Sequence, residues 1–336
     1  MGVLTLAALQ ARVRDRRAIL NYPRKLRSTS VAAGAGRLPV APGAPACTIG
    51  RMSESQYDKP ARVDLADEPV HWDLGSSLSY GEYLQLEKLL GSQQPLSTEH
   101  NEMVFILAHQ VSELWMRLML HELTAALECV RRDDLDPALK MLARISRTQT
   151  QLLTVWDVLS TLTPFEYSAF RNELGRSSGF QSVQYRLLEF LFGNKNAAMI
   201  EVHKRDARAY ELLARALAAP SLYDEVLRLL SRRGYGIPES YLTRDFSEPY
   251  QSSKQVAGAW LGVYHNADQA WDLYELAERL VDLDYNFQLW RYHHLKTVER
   301  IIGYKPGTGG TAGVSYLSKA LELKFFPELW QIRTSM

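Results

Sequence analysis

Between Leu276 and Ile301, apolar or bulky side chains recur at Leu276, Leu280, Leu283, Phe287, Trp290, Val298 and Ile301. The steps alternate between three and four residues, with one longer gap. That spacing predicts an amphipathic helix of roughly eight turns. His294 fills the gap, four residues from both Trp290 and Val298, so a histidine lies in the middle of the expected buried stripe. Its neighbour His293 turns toward the face carrying Leu289, Lys296 and Arg300. The helix ends in a run of glycines, Gly303, Gly307, Gly309, Gly310 and Gly313. Such a run can bring backbone N–H groups close to a ligand.

The rest of the chain repeats the helical period. One short helix is expected over residues 80–90, then long ones over 99–131 and 139–162, the first with a core stripe of Val104, Leu107, Val111, Leu114 and Leu118. Thr163-Pro164-Phe165-Glu166 is a capping box with proline at the first helical position. That helix breaks near Gly175 to Gly179. Further helices are expected over 181–192, 198–218, 221–232 and 254–280, the last running on into the His294 helix, and a short one over 316–323. No series of period two and no internal repeat occurs. The expected fold class is all-α, a helical bundle with a ligand pocket and few or no strands.

Charge divides the chain. Residues 1–51 hold eight Arg, one Lys and a single acid, Asp15, while the remainder holds 30 basic and 37 acidic residues. The mildly acidic body offers no electrostatic footprint for nucleic acid. No apolar run approaches the roughly 18 residues of a membrane span. Residues 1–51 are expected to be a disordered or non-native extension: a transit peptide, a basic tail, or untranslated sequence before a start at Met52, the favoured reading. Residues 52–336 are then one helical domain. Cys47 and Cys129 draw neither a disulfide framework nor a zinc site. A reducing compartment, the cytoplasm, fits this usage.

For His294 two readings stand side by side: a core histidine hydrogen-bonded to a carbonyl, or an axial ligand to haem iron. A di-iron bundle needs Glu-x-x-His on two helices, and the one match is Glu68-Pro-Val-His71, interrupted by proline. His121-Glu122 lacks the second histidine of a zinc protease motif. Gly307, Gly309 and Ala312 match a dinucleotide fingerprint in spacing but follow a helix where a strand is required. What remains is a loop carrying one hydroxyl, Thr308. Phe105, His109 and Glu113 share a face of the second long helix: a helix–helix contact, or an aromatic wall with a hydrogen-bonding group over a planar substrate. Tyr167 and Arg171 share a face too, and a guanidinium fork suits a carboxylate, although an ordinary surface pair looks the same.

Longer stretches carry a resemblance. FILAHQVSELW (105–115), TPFEYSAFR (163–171), SSGFQSVQYR (177–186), FGNKN (192–196), FQLWRYHHLKTVERIIGYKPGTGG (287–310) and FFPELWQIRT (325–334) closely resemble the tryptophan 2,3-dioxygenase family, over about residues 72–334. The resemblance implies a homotetramer of helical subunits, each with one haem b. The implied reaction converts L-tryptophan and O2 to N-formyl-L-kynurenine, the first step of tryptophan degradation by the kynurenine pathway. It implies no nucleic acid and no membrane. Residue by residue, His294 matches the proximal iron ligand and His109 the distal histidine near the indole N–H. Phe105 matches the indole wall, within a substrate-binding stretch that also holds Ile106, Leu107 and Ala108. Tyr167 and Arg171 match the group holding the substrate carboxylate. Thr308 matches the loop residue that meets the ammonium and carboxylate. Tyr80 and Tyr83 match positions through which a neighbouring subunit completes the pocket. Two rivals use the same residues: a haem dioxygenase for another indole, and a haem-free helical interaction protein.

Overall fold

Every regular element in the computed structural model, which describes Leu65 and residues 68–336, is a helix. The expected extension over residues 1–51 lies outside the described residues. The chain divides into two units at Asp73 and Leu74, and the helices among the described residues all belong to the second. They are α1 (Tyr80–Leu84), α2 (Leu86–Leu90), α3 (Glu102–Arg131), α4 (Leu135–Leu159), α5 (Pro164–Phe170), α6 (Val183–Phe192), α7 (Ala207–Ala218), α8 (Leu222–Arg232), α9 (Glu239–Leu242), α10 (Lys254–His265), α11 (Trp271–Ile302), α12 (Val314–Ala320) and α13 (Pro327–Gln331).

The second unit is organised around α4, which packs along both α3 and α11. Met119, Leu123 and Ala126 of α3 meet Leu142 and Ile145 of α4 and Leu276, Leu280 and Leu283 of α11 in one buried core. Truncating a side chain such as Leu280, fully buried here, costs about 2–5 kcal/mol.

The α3 stripe read from the sequence is not the core face. Leu107, Val111 and Leu114 are exposed, and the buried face carries Met116, Met119, Leu123, Leu127 and Val130. Met116 is nine residues from Leu107, which is roughly half a turn out of phase. The helix is apolar on two sides, and periodicity alone does not say which side meets α4 and α11. By length and composition α3 also resembles a membrane-crossing helix, a test that core helices of globular proteins pass as well. Its buried Glu122 pairs with Arg144 of α4 at 2.7 Å.

Boundaries differ where a local bond overrides the period. The expected 80–90 helix is two, split at Gln85, whose φ of 52° is left-handed. The 198–218 helix is a 3-10 segment, Ala197–His203, followed by α7, with Asp206 capping Ala209. The 254–280 helix does not run into the His294 helix: α10 stops at His265, where the Asn266 amide donates to the Gly262 carbonyl at 2.8 Å. An asparagine bonded back to its own helix competes with further helical turns. α4 begins four residues earlier than read, because Pro137 falls in its first turn, where an N–H would lack a partner anyway. The α5 capping box forms as read, Thr163 and Glu166 bonding reciprocally.

Two buried polar groups fix α11. Asp284 accepts the Phe325 N–H at 3.1 Å and the Trp330 indole N–H at 2.9 Å, holding the C-terminal segment on the helix. Glu189 of α6 pairs with Arg186 and, at 3.4 Å, with Arg291 of α11. Removing Glu189 strands two buried guanidinium groups, a loss of about 3–5 kcal/mol.

Candidate active site

A small second core lies beside the main one. Ala108 of α3, Val155 and Leu159 of α4, Leu162 and Phe170 are buried in it, and Phe105, Trp156, Tyr167 and Ile301 pack against them. Four separate chain segments therefore deliver side chains to one wall. The Phe105 ring lies 4.1 Å from His109, 5.8 Å from Tyr167 and 5.7 Å from Phe170.

His109 Nδ1 is 2.7 Å from the Phe105 carbonyl oxygen. A carbonyl only accepts, so Nδ1 carries the proton and Nε2 of the neutral ring is an acceptor. Burial pushes this imidazole below its ordinary range, against the Phe105 carbonyl and the Glu113 charge, so the neutral form is favoured. Glu113, on the same face, accepts from the Gln184 amide at 2.7 Å.

His294 is held differently. Trp156 stacks on it with ring centroids 4.7 Å apart and planes 12° apart, and Trp290 leans on it at 5.5 Å. No described residue hydrogen-bonds its ring, and no carbonyl among them takes the place of a partner. The ring is partly accessible yet densely surrounded by protein. Burial first, and then the nearby His109, push its pKa down to about 4. The two histidines thus lie within electrostatic reach of one another.

Arg171 follows the last turn of α5, and its Nη2 donates to the Pro306 carbonyl at 2.7 Å. Burial pushes the Tyr167 phenol up, and the neighbouring Arg171 charge draws it back. Thr308 donates to the Ser177 carbonyl at 2.6 Å, which leaves the oxygen lone pairs as acceptors. The glycine loop is therefore pinned twice to the 171–178 segment. Gly309 allows the close approach: a Cβ there would stand 2.8 Å from the Ser178 Cβ and Oγ.

Among the described residues no group of three His, Cys, Asp or Glu side chains is arranged to hold a metal ion. Any metal here has to bring most of its own ligands and ask the protein for one. A single neutral imidazole with no hydrogen bond on its ring is a donor that haem iron can take. The residues present fit that cofactor.

Not every expected site residue joins this wall. Ile106 and Leu107 lie outside the second core, and Leu107 is exposed. Tyr80 and Tyr83 on α1 are 76% and 73% exposed, so neither is enclosed by its own chain. Trp156 and Phe170 are central and were not singled out from the sequence. Trp156 follows the buried Val155 and precedes the buried Leu159 by three, an edge position that periodicity marks as neither core nor surface.

A profile of the family described as Tryptophan 2,3-dioxygenase matches residues 64–216 and 216–336. Curated proteins named tryptophan 2,3-dioxygenase are similar over most of the chain. The Geobacillus thermodenitrificans protein is 56% identical over 270 residues, 80% of this chain and 96% of that one. The Polaromonas sp. protein is 55% identical over 277 residues, 82% of this chain and 94% of that one. The Bordetella parapertussis protein is 54% identical over 285 residues, 85% of this chain and all of that one.

Proposed function

The chain belongs to the tryptophan 2,3-dioxygenase family, and from that premise we propose that it opens the indole ring of L-tryptophan with O2, using haem b held by His294, to give N-formyl-L-kynurenine. It is an oxidoreductase of tryptophan degradation. The observation that supports the residue assignment best is His294 itself: a ring kept neutral, with no hydrogen bond from a described residue, stacked on Trp156 and within electrostatic reach of His109.

The haem, when bound, supplies the iron at which O2 reacts. The protein's own work is positioning. Phe105 and Tyr167 form the wall for the indole. His109 Nε2, left as the acceptor by the Nδ1 bond to Phe105, takes the indole N–H and orients the ring, and it is not an obligatory base. Arg171 keeps one N–H on the Pro306 carbonyl and turns the remaining fork to the substrate carboxylate, a charge-assisted pairing. The Thr308 oxygen accepts from the ammonium. These two contacts select an α-amino acid zwitterion over a simple indole. Tyr80 and Tyr83, exposed on their own chain, complete the pocket of a neighbouring subunit in a homotetramer with one haem per subunit.

The test is oxygen uptake and product mass on purified, haem-loaded, reduced protein with L-tryptophan. One O2 consumed per tryptophan and a product two oxygen atoms heavier support the reading. A red protein that leaves tryptophan unchanged and oxidises another indole refutes the substrate assignment.

A further inference from the structure

A histidine bound to a metal usually donates its second ring nitrogen to a carboxylate or carbonyl, and that bond sets the plane of the ring. No described residue makes such a bond to His294. What fixes its plane is a stack. Trp156 lies nearly parallel to it, 12° and 4.7 Å away. Trp290 touches both rings, 5.4 Å from Trp156 and 5.5 Å from His294, and closes the third side of the wedge. Trp290 is on the same helix as His294 and moves with it. Trp156 belongs to α4, so it is the part of the clamp that α11 does not carry.

Given the reading of His294 as the iron ligand, on which this rests, we propose that Trp156 is a positioning residue of the haem site: its ring sets the plane of the proximal imidazole. W156F keeps an aromatic plane against the imidazole, while W156L removes it.

The experiment uses the full chain loaded with haem. It reads the iron–histidine stretching band of the ferrous protein by resonance Raman spectroscopy, and the rate at which haem passes to excess apomyoglobin. W156L shifts or broadens the band, and W156F restores it to the wild-type position. W156L also releases haem faster than the wild-type protein, and W156F releases it at the wild-type rate. A wild-type band in W156L overturns the stacking role. W156M decides the point if W156L does not fold. Absence of any iron–histidine band in the wild-type protein, or its survival in His294→Gly, refutes instead the ligand assignment beneath the proposal.

Discussion

Gly309→Ala tests the site through a single methyl group. Gly309 does not need glycine for its backbone angles, so the effect is steric alone. The added Cβ would stand 2.8 Å from both Cβ and Oγ of Ser178 and 3.6 Å from the Phe180 Cβ. Rotating the Ser178 hydroxyl relieves only the Oγ contact, because the Cβ is fixed to the backbone. Ordinary contact begins at 3.4 Å, so in a close-packed setting the loop or its neighbour has to yield by about 0.6 Å. The segment that yields carries Thr308 and the Pro306 carbonyl that steadies Arg171. Misplacing a positioning group by about 1 Å costs on the order of 100-fold, so Gly309→Ala should raise KM for L-tryptophan by about 10- to 100-fold. The haem spectrum and helical circular dichroism should not change. Steady-state oxygen uptake over a tryptophan series measures this, and the double variant S178G/G309A supplies the control. Taking away the Ser178 side chain removes the contact, so the double variant should recover most of the loss. A wild-type KM in Gly309→Ala refutes the idea that this loop positions substrate. A double variant no better than the single one refutes the steric cause.

Arg171→Ala should raise KM by about 100-fold or more, since a bidentate charge-assisted pair and the tie to Pro306 go together; a near-normal KM in the same assay removes Arg171 from substrate binding. His109→Ala should retain most of kcat while tryptophan binds more weakly; a total loss of turnover with tryptophan still bound would make His109 an obligatory base. His294→Ala should abolish stable haem binding, seen as loss of the Soret band after gel filtration, and a retained wild-type spectrum contradicts the assignment. For the haem-free protein, the His294 pKa is about 4 when folded and about 6.5 when unfolded. Between those values the unfolded state binds the additional proton. His294 therefore contributes stability that is fully present above pH 6.5 and lost as pH falls through 4, about 3 kcal/mol in all. His294→Phe should flatten the dependence of the urea midpoint on pH across that window, and an unaltered dependence would show that another group titrates there.

The helical class was legible because helix period is a local property. The Thr163 capping box and the end of α6 at Gly193 depend on neighbours within one turn, and both were read correctly. The run of three- and four-residue steps around His294 likewise located α11. The errors are of one kind. The α3 stripe was placed half a turn off, the join between α10 and α11 was missed, and α1 and α2 were merged. Each rested on period where the outcome hung on a partner or a single side-chain bond: the facing helices α4 and α11, the Asn266 amide, the left-handed Gln85.

For the site the division is sharper. The sequence determined the side chains and their helical offsets, enough to set Phe105 over His109 and Tyr167 near Arg171 on shared faces. The resemblance of long motifs did more than any spacing to suggest what they do. Sequence by itself did not put His109, from α3, within electrostatic reach of His294, from α11, nor lay Trp156 of α4 flat on that ring. It did not tie Thr308 to Ser177 across 131 residues of chain. Those relations come from how three long helices cross and how a glycine loop folds back, and such packing is set by the shape of the partner surface. An offset along one helix can be counted from residue numbers. A distance between two helices exists only once both have buried their apolar faces against a third.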